Sequence, residues 1–195
     1  MAPMSLSEPL RKLLLGVALR SIRHGLERGK PLAVETGDYD PALREGRACF
    51  VTLNLHGNLR GCIGHLEAIQ PLVRDVADNA YAAAFQDPRF PSLRAEELSG
   101  LDIHISILSL PEPLSFQSEA GLIAQIRPGI DGLILQEGRN RGTFLPSVWE
   151  SLPQPLDFWR QLKRKAGLPM NHWSGNLRVQ RYTTESFGAG AEGIL

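Results

Sequence analysis

Cysteine is scarce in this chain, with Cys49 and Cys62 the only two among 195 residues. Two thiols are too few for the disulfide framework of a small secreted domain, and their sparing use suits a reducing compartment. An excess of charge of one sign is missing too. Lys and Arg number 21, Asp and Glu number 21, and neither end carries a charged tail. A protein built to grip a nucleic-acid backbone normally carries a basic excess, so composition argues against nucleic acid as a partner. Long apolar runs are also lacking. The run at residues 13–19 falls far short of the ~20 residues of a membrane span. Arg11 and Lys12 precede it, Arg20 and Arg23 follow, and no small-residue cleavage site appears, so it does not read as a signal peptide. The expected location is the cytoplasm, away from membranes. No serine nucleophile elbow, phosphate-cradling glycine loop or dinucleotide fingerprint is present, so no cofactor is expected.

What is present is ordinary core-forming material, 43% hydrophobic and 22% charged, enough to bury a real core. Residues 8–28 carry Leu10, Leu14, Val17, Ala18 and Ile22 at helical spacing. Ser7 stands at the cap, Pro9 in the first turn, and Gly29 after the end. The polar stretch 36–46 reads as a loop. Alternating apolar residues predict strands at 48–55 and 59–66, joined by a turn. A helix follows over 71–86, stopped by Asp87-Pro88. A strand at 101–110, a short helix near 119–125 and a second hairpin within 131–145 come next, with Glu137 to Asn140 at its tip. A helix over 156–166 is closed by Gly167, with Leu168 folding back on Leu162. Residues 176–183 read as a last strand, and the terminal GAGAEG as frayed. Strands joined by hairpins, without strict alternation with helices, predict an α+β fold of antiparallel sheets with packed helices.

The segment Leu59-Arg60-Gly61-Cys62-Ile63-Gly64 resembles the LRGCIG signature of the AMMECR-one domain family, whose bacterial members are called AmmeMemoRadiSam system protein A. The resemblance continues in order through Asp87-Pro88-Arg89-Phe90-Pro91, Gly132-Leu133-Ile134-Leu135, Arg141-Gly142-Thr143-Phe144-Leu145-Pro146, Val148-Trp149-Glu150 and Lys165-Ala166-Gly167-Leu168-Pro169. It spans about residues 10–187. It implies one AMMECR-type domain over residues 1–195, made of two unequal sub-domains with both termini in the larger. It also implies a Memo-like protein and a radical-SAM protein as partners. No biochemical activity is securely attached to the family. His65, directly after the signature, is not part of the motif.

The first hairpin supplies the sharpest site expectation. A three-residue loop of His56, Gly57 and Asn58, with Asn58 left-handed, sets Leu55 opposite Leu59, Leu53 opposite Gly61 and Val51 opposite Ile63 on one apolar face. The other face then carries Thr52 opposite Cys62 and Asn54 opposite Arg60. A two-residue Gly57-Asn58 turn would exchange the faces, and burial favours the first register. Arg60 and Cys62, two apart on a strand, share a side. They are the catalytic candidates, the guanidinium serving to stabilise a thiolate or to grip a carboxylate or phosphate. Asn54, Thr52, Gly61, Gly64 and Arg89 are the ligand-binding candidates, the glycines because they admit another backbone or a ligand closely.

Each candidate has a structural alternative. Cys62 can be a small core residue, Arg60 a bonder of backbone carbonyls, and Asp87 with Arg89 a turn. Cys62 and His65 have C-x2-H spacing, but no second ligand pair exists, so no metal site is expected. Lys163-Arg164-Lys165 complements a helix dipole, and Trp149, Trp159 and Trp173 read as core. Three function classes remain open: a small-ligand or enzymatic component using the Arg60/Cys62 face, a non-catalytic protein-interaction module, and, ranked last, an RNA-binding factor. Sequence alone does not assign the oligomeric state.

Overall fold

The computed structural model describes residues 5–194. In chain order the elements are α1 (Glu8–Arg28), α2 (Pro41–Arg44), β1 (Cys49–Leu55), β2 (Asn58–Gly64), α3 (Leu72–Phe85), β3 (Leu101–Leu108), β4 (Glu112–Pro113), α4 (Glu119–Ile123), β5 (Gly132–Glu137), β6 (Asn140–Phe144), α5 (Pro155–Lys165), β7 (Arg178–Tyr182), β8 (Thr184–Gly190) and α6 (Ala191–Ile194). The strands form two four-stranded sheets, ordered β2-β1-β3-β8 and β4-β7-β5-β6. The fold is α+β with antiparallel sheets. Two compact units result, one from Met1–Leu108 with Glu185–Leu195 and the other from Ser109–Thr184.

In the first unit α1 runs as its periodicity predicts and ends at Gly29, whose φ of 68° is left-handed. Ser7 holds the cap position, but its side chain makes no capping hydrogen bond. The buried stripe of α1 (Leu14, Val17, Ala18, Ile22) and that of α3 (Val73, Val76, Ala80, Ala84) pack in one core with Val51, Leu53, Ile103 and Ile105 of the sheet. Each buried Leu, Val or Ile among them stabilises the fold by roughly 1.5–3 kcal/mol through burial.

The hairpin of β1 and β2 keeps the expected register in its body, with Val51 opposite Ile63, Thr52 opposite Cys62 and Leu53 opposite Gly61. Its tip differs from expectation. Leu55 pairs with Asn58, Asn54 with Leu59, and the register shifts beside Leu53, leaving Arg60 unpaired in a bulge. The turn is the two residues His56 and Gly57, both left-handed at φ 51° and 79°. Two consecutive positive φ values match the right-handed strand twist. The bulge absorbs the odd residue, so the apolar face stays buried.

The carboxy-terminal segment was also expected otherwise. Residues 188–193 are not frayed: 188–190 complete β8 beside β3, and 191–193 lie in α6. A Cβ on Gly188 would collide with the ring of His104. Glycine there marks a close side-by-side approach, not disorder. Stretch 36–46 likewise holds a 3-10 turn and α2, capped by Asp40, whose carboxylate accepts from Ala42 N–H at 2.9 Å.

In the second unit, Leu133 and Leu135 of β5 face Phe158, Trp159 and Leu162 of α5. Trp149 stacks on Phe158 with centroids 3.8 Å apart. Gly167, at φ 86°, closes α5, and Leu168 N–H donates to Lys163 O at 2.9 Å, the expected cap. Lys163, expected only to complement the helix dipole, does more. It is buried, its Nζ 2.6 Å from Glu119 Oε1 and 2.9 Å from His172 O. Trp149 and Trp159 are core, whereas Trp173 is only half-buried.

Candidate functional site

The expected pair of Arg60 and Cys62 separates on inspection of what each side chain binds. The bulge at Arg60 suspends the two-residue alternation that would align it with Cys62. Its guanidinium instead forks onto Glu97, Nε to Oε1 at 2.8 Å and Nη2 to Oε2 at 3.1 Å. Both side chains are nearly buried, at 10% and 15% exposure. Glu97 also accepts Arg94 N–H at 2.8 Å, closing the 3-10 turn that leads into β3. The Arg60 hydrogen bonds hold the Glu97 carboxyl below its ordinary value despite burial. Arg60 therefore ties the hairpin to the segment before β3, close to the structural alternative set out above.

Cys62 has different company. Thr52 donates its hydroxyl to Sγ at 3.2 Å, as their pairing across the two strands requires. The Cys62 N–H donates to Asp87 Oδ2 at 2.9 Å. Asp87 sits just after α3 and clamps Arg89, Nε to Oδ1 at 3.0 Å and Nη2 to Oδ2 at 2.7 Å. The Arg89 hydrogen bonds are the main reason the Asp87 carboxyl lies far below the usual carboxylate range. Reciprocally, Asp87 raises the Arg89 pKa, with a smaller contribution from the Cys62 sulfur. The cation linked to Cys62 through Asp87 is thus Arg89, while Arg60 is bound to Glu97. The Arg89 side chain is 56% exposed and lies over the Phe90 ring at 5.5 Å. A half-buried thiol, a hydroxyl and a guanidinium with one edge free are held together, with Asn54 on the same sheet face as Thr52.

The glycines of the motif meet protein, not open space. A Cβ on Gly61 would run into the carbonyl oxygen of Ala83 on α3, and one on Gly64 into Cys49 O and Phe50. Their smallness lets β2 lie against its neighbours, and a ligand has no room on those sides.

Three residues that sequence reasoning did not single out organise the start of β1. Asp75, buried in the middle of α3, accepts from Cys49 N–H at 3.1 Å, Cys49 Sγ at 3.2 Å, Asn79 Nδ2 at 3.0 Å and Gln70 Nε2 at 3.1 Å. His65 Nε2 completes its shell at 2.7 Å. Burial first, and then the Asp75 charge, push the Cys49 thiol well above its ordinary pKa, so it stays a neutral donor. Asp75 and Asn79 stand four apart on the apolar stripe of α3, and that interruption was a readable signal of a buried polar network. His65 binds this carboxylate. Both cysteines are free.

The AMMECR1 family profile matches residues 15–187. A protein of Methanothermobacter thermautotrophicus is 38% identical over 192 residues, covering 95% of this chain and 96% of the relative. A protein of Thermofilum pendens is 35% identical, covering 90% of this chain and 87% of its own. Among solved structures, the uncharacterized protein PH0010 from Pyrococcus horikoshii superimposes with a TM-score of 0.83 at 33% identity, over 94% of this chain and 93% of that one. No helix among the described residues is long and apolar enough to cross a membrane.

Proposed function

Because the chain belongs to the AMMECR1 family, we propose that it is a small-ligand-binding component that meets an anionic ligand at Cys62 and Arg89. In this reading it acts with the Memo-like and radical-SAM proteins that the family resemblance implies. The observation that carries it is the bond chain from Cys62 N–H through the Asp87 carboxylate to the Arg89 guanidinium. Asp87 uses both oxygens on Nε and Nη2, so Arg89 keeps Nη1 for a carboxylate or phosphate. Thr52 places its hydroxyl on the Cys62 sulfur at 3.2 Å, Asn54 lies two residues along the same face of β1, and Cys62 supplies the only half-buried thiol among the described residues. Arg60 ties the hairpin to Glu97. A protein-interaction module without chemistry remains the second reading; it draws on the exposed Leu59 of β2 and the exposed Ile69 that follows it.

The test is mass spectrometry of small molecules carried by the protein purified under native conditions. Wild type, Arg89→Gln and Cys62→Ser are compared, with thermal melts on each. The expected result is an anionic species on wild type that is depleted from Arg89→Gln beyond any change in folded fraction. Identical small-molecule content on all three proteins would remove the proposal and leave the docking reading.

A further inference from the structure

The second unit contains a cavity that the Cys62 reading does not use. It has a volume of ≈ 630 Å³, inside the range of about 300–1,000 Å³ common for small-molecule sites. It exists because the chain leaves β7 early. After the pairs Glu112 with Arg181 and Pro113 with Gln180, Leu114 N–H donates to Val179 O at 2.9 Å. The chain then turns toward α4, where Gln125 Nε2 donates to Ser115 O at 2.9 Å. The remainder of β7 is left without a strand on that side.

The lining combines three chemistries. Phe116 and Trp173 form a tilted aromatic pair with centroids 5.6 Å apart. Gln136 of β5 lies directly opposite Arg178 of β7, and Gln180 lies two pairs along, on the same face as Arg178. Among the described residues, the side chains of Gln117, Gln136, Gln180 and Arg178 make no hydrogen bond or ion pair. The wall carrying Trp173 is fixed. His172 Nε2 lies 2.6 Å from Glu137 Oε2, Ser174 Oγ donates to Glu137 Oε1, and His172 O takes the buried Lys163 ammonium. Trp173 is thus held between two anchored residues, a prepared surface with little ordering left to complete.

We propose that this cavity binds a nucleoside monophosphate. An aromatic wall favours a flat ring, since stacking tolerates any base. Carboxamides carry a donor and an acceptor each, which suits the mixed donor and acceptor edge of a nucleobase. One guanidinium with no protein partner suits a single phosphate group, and its fork binds phosphate in bidentate fashion. A sugar phosphate would use Arg178 but leave the aromatic wall without a planar partner. A polynucleotide would demand several cations along a track, and the lining holds one. This inference is independent of the Cys62 reading, and either can fail without the other.

The experiment is isothermal titration of the intact protein with AMP, GMP, CMP and UMP, set against ribose 5-phosphate, inorganic phosphate and the matching nucleosides. At least one nucleotide is expected to bind, with Trp173→Ala weakening it by about tenfold or more. Trp173→Phe, which keeps a ring, should restore most of that loss and guards against a folding defect in the alanine variant. Arg178→Gln should weaken the nucleotide but leave the nucleoside unchanged. Absence of heat with all four nucleotides overturns the proposal. So does ribose 5-phosphate binding as tightly as the nucleotides, or binding indifferent to both Trp173 and Arg178.

Discussion

The imidazole of His65 and the carboxylate of Asp75 meet at 2.7 Å, with Asp75 1% exposed and His65 34% exposed. A carboxylate in that position is tolerable only because every nearby donor points to it. Asp75→Ala leaves the buried Cys49 N–H without its acceptor and takes one acceptor each from Asn79 and Gln70, and should cost about 3–5 kcal/mol, the scale of breaking a buried polar pair. Asp75→Asn keeps one acceptor oxygen and should cost less. Urea unfolding of the two variants checks the ordering; equal, small losses would mean that water takes over the role.

Thiol reactivity should separate the two cysteines. Cys49 is fully buried and its thiol is pushed well up in pKa, so alkylation of the folded protein should label Cys62 and spare Cys49. After unfolding without reductant both should react, because neither is in a disulfide. Peptide mapping after iodoacetamide reads this directly. Early labelling of Cys49 would show that the first strand opens locally.

The Arg60 and Glu97 pair should leave a mark on acid stability. Glu97 is held below its ordinary pKa of 4.5, chiefly by Arg60. A depressed carboxylate pKa adds stability above the unfolded value, and that stability is lost as pH falls through the folded value. Wild type should therefore exceed Glu97→Gln in stability at neutral pH. The gap should shrink as pH drops below 4.5. Denaturation midpoints from neutral to acid pH measure it, and a constant gap would contradict the assignment. Arg60→Lys should not restore the loss, since an ammonium cannot reproduce the fork.

In the second unit, burial raises the Glu119 pKa, but hydrogen bonds from Lys163 and Trp159 outweigh it and hold the carboxyl down. Lys163 is 1% exposed and Glu119 35%. Removing the acid strands a buried ammonium, so Glu119→Ala should cost on the order of 3–5 kcal/mol. Lys163→Met, which fills the volume and leaves an acid that water can reach, should cost distinctly less. Melting curves of both variants provide the comparison.

Much of the first unit was legible. Apolar spacing located α1 to the residue, and burial picked the register that sets Thr52 opposite Cys62 and Leu53 opposite Gly61. The turn was not legible, because His56 and Gly57 can hold two positive φ values as readily as Asn58 can hold one. Only the bulge at Arg60 reconciles that turn with the buried register. β8 was missed since its glycines look like a loose end until His104 is seen lying over Gly188.

For the site, sequence by itself determined the family, the α+β class and the pairing of Thr52 with Cys62, because motif order and period-two burial are local properties of the chain. Tertiary structure alone decided which charges meet. Arg60 goes to Glu97, 37 residues away, Cys62 N–H to Asp87, 25 away, and Lys163 to Glu119, 44 away. Side-chain charge has no period to betray its partner. Which carboxylate a cation reaches depends on where folding removes water and leaves one acceptor within hydrogen-bond range.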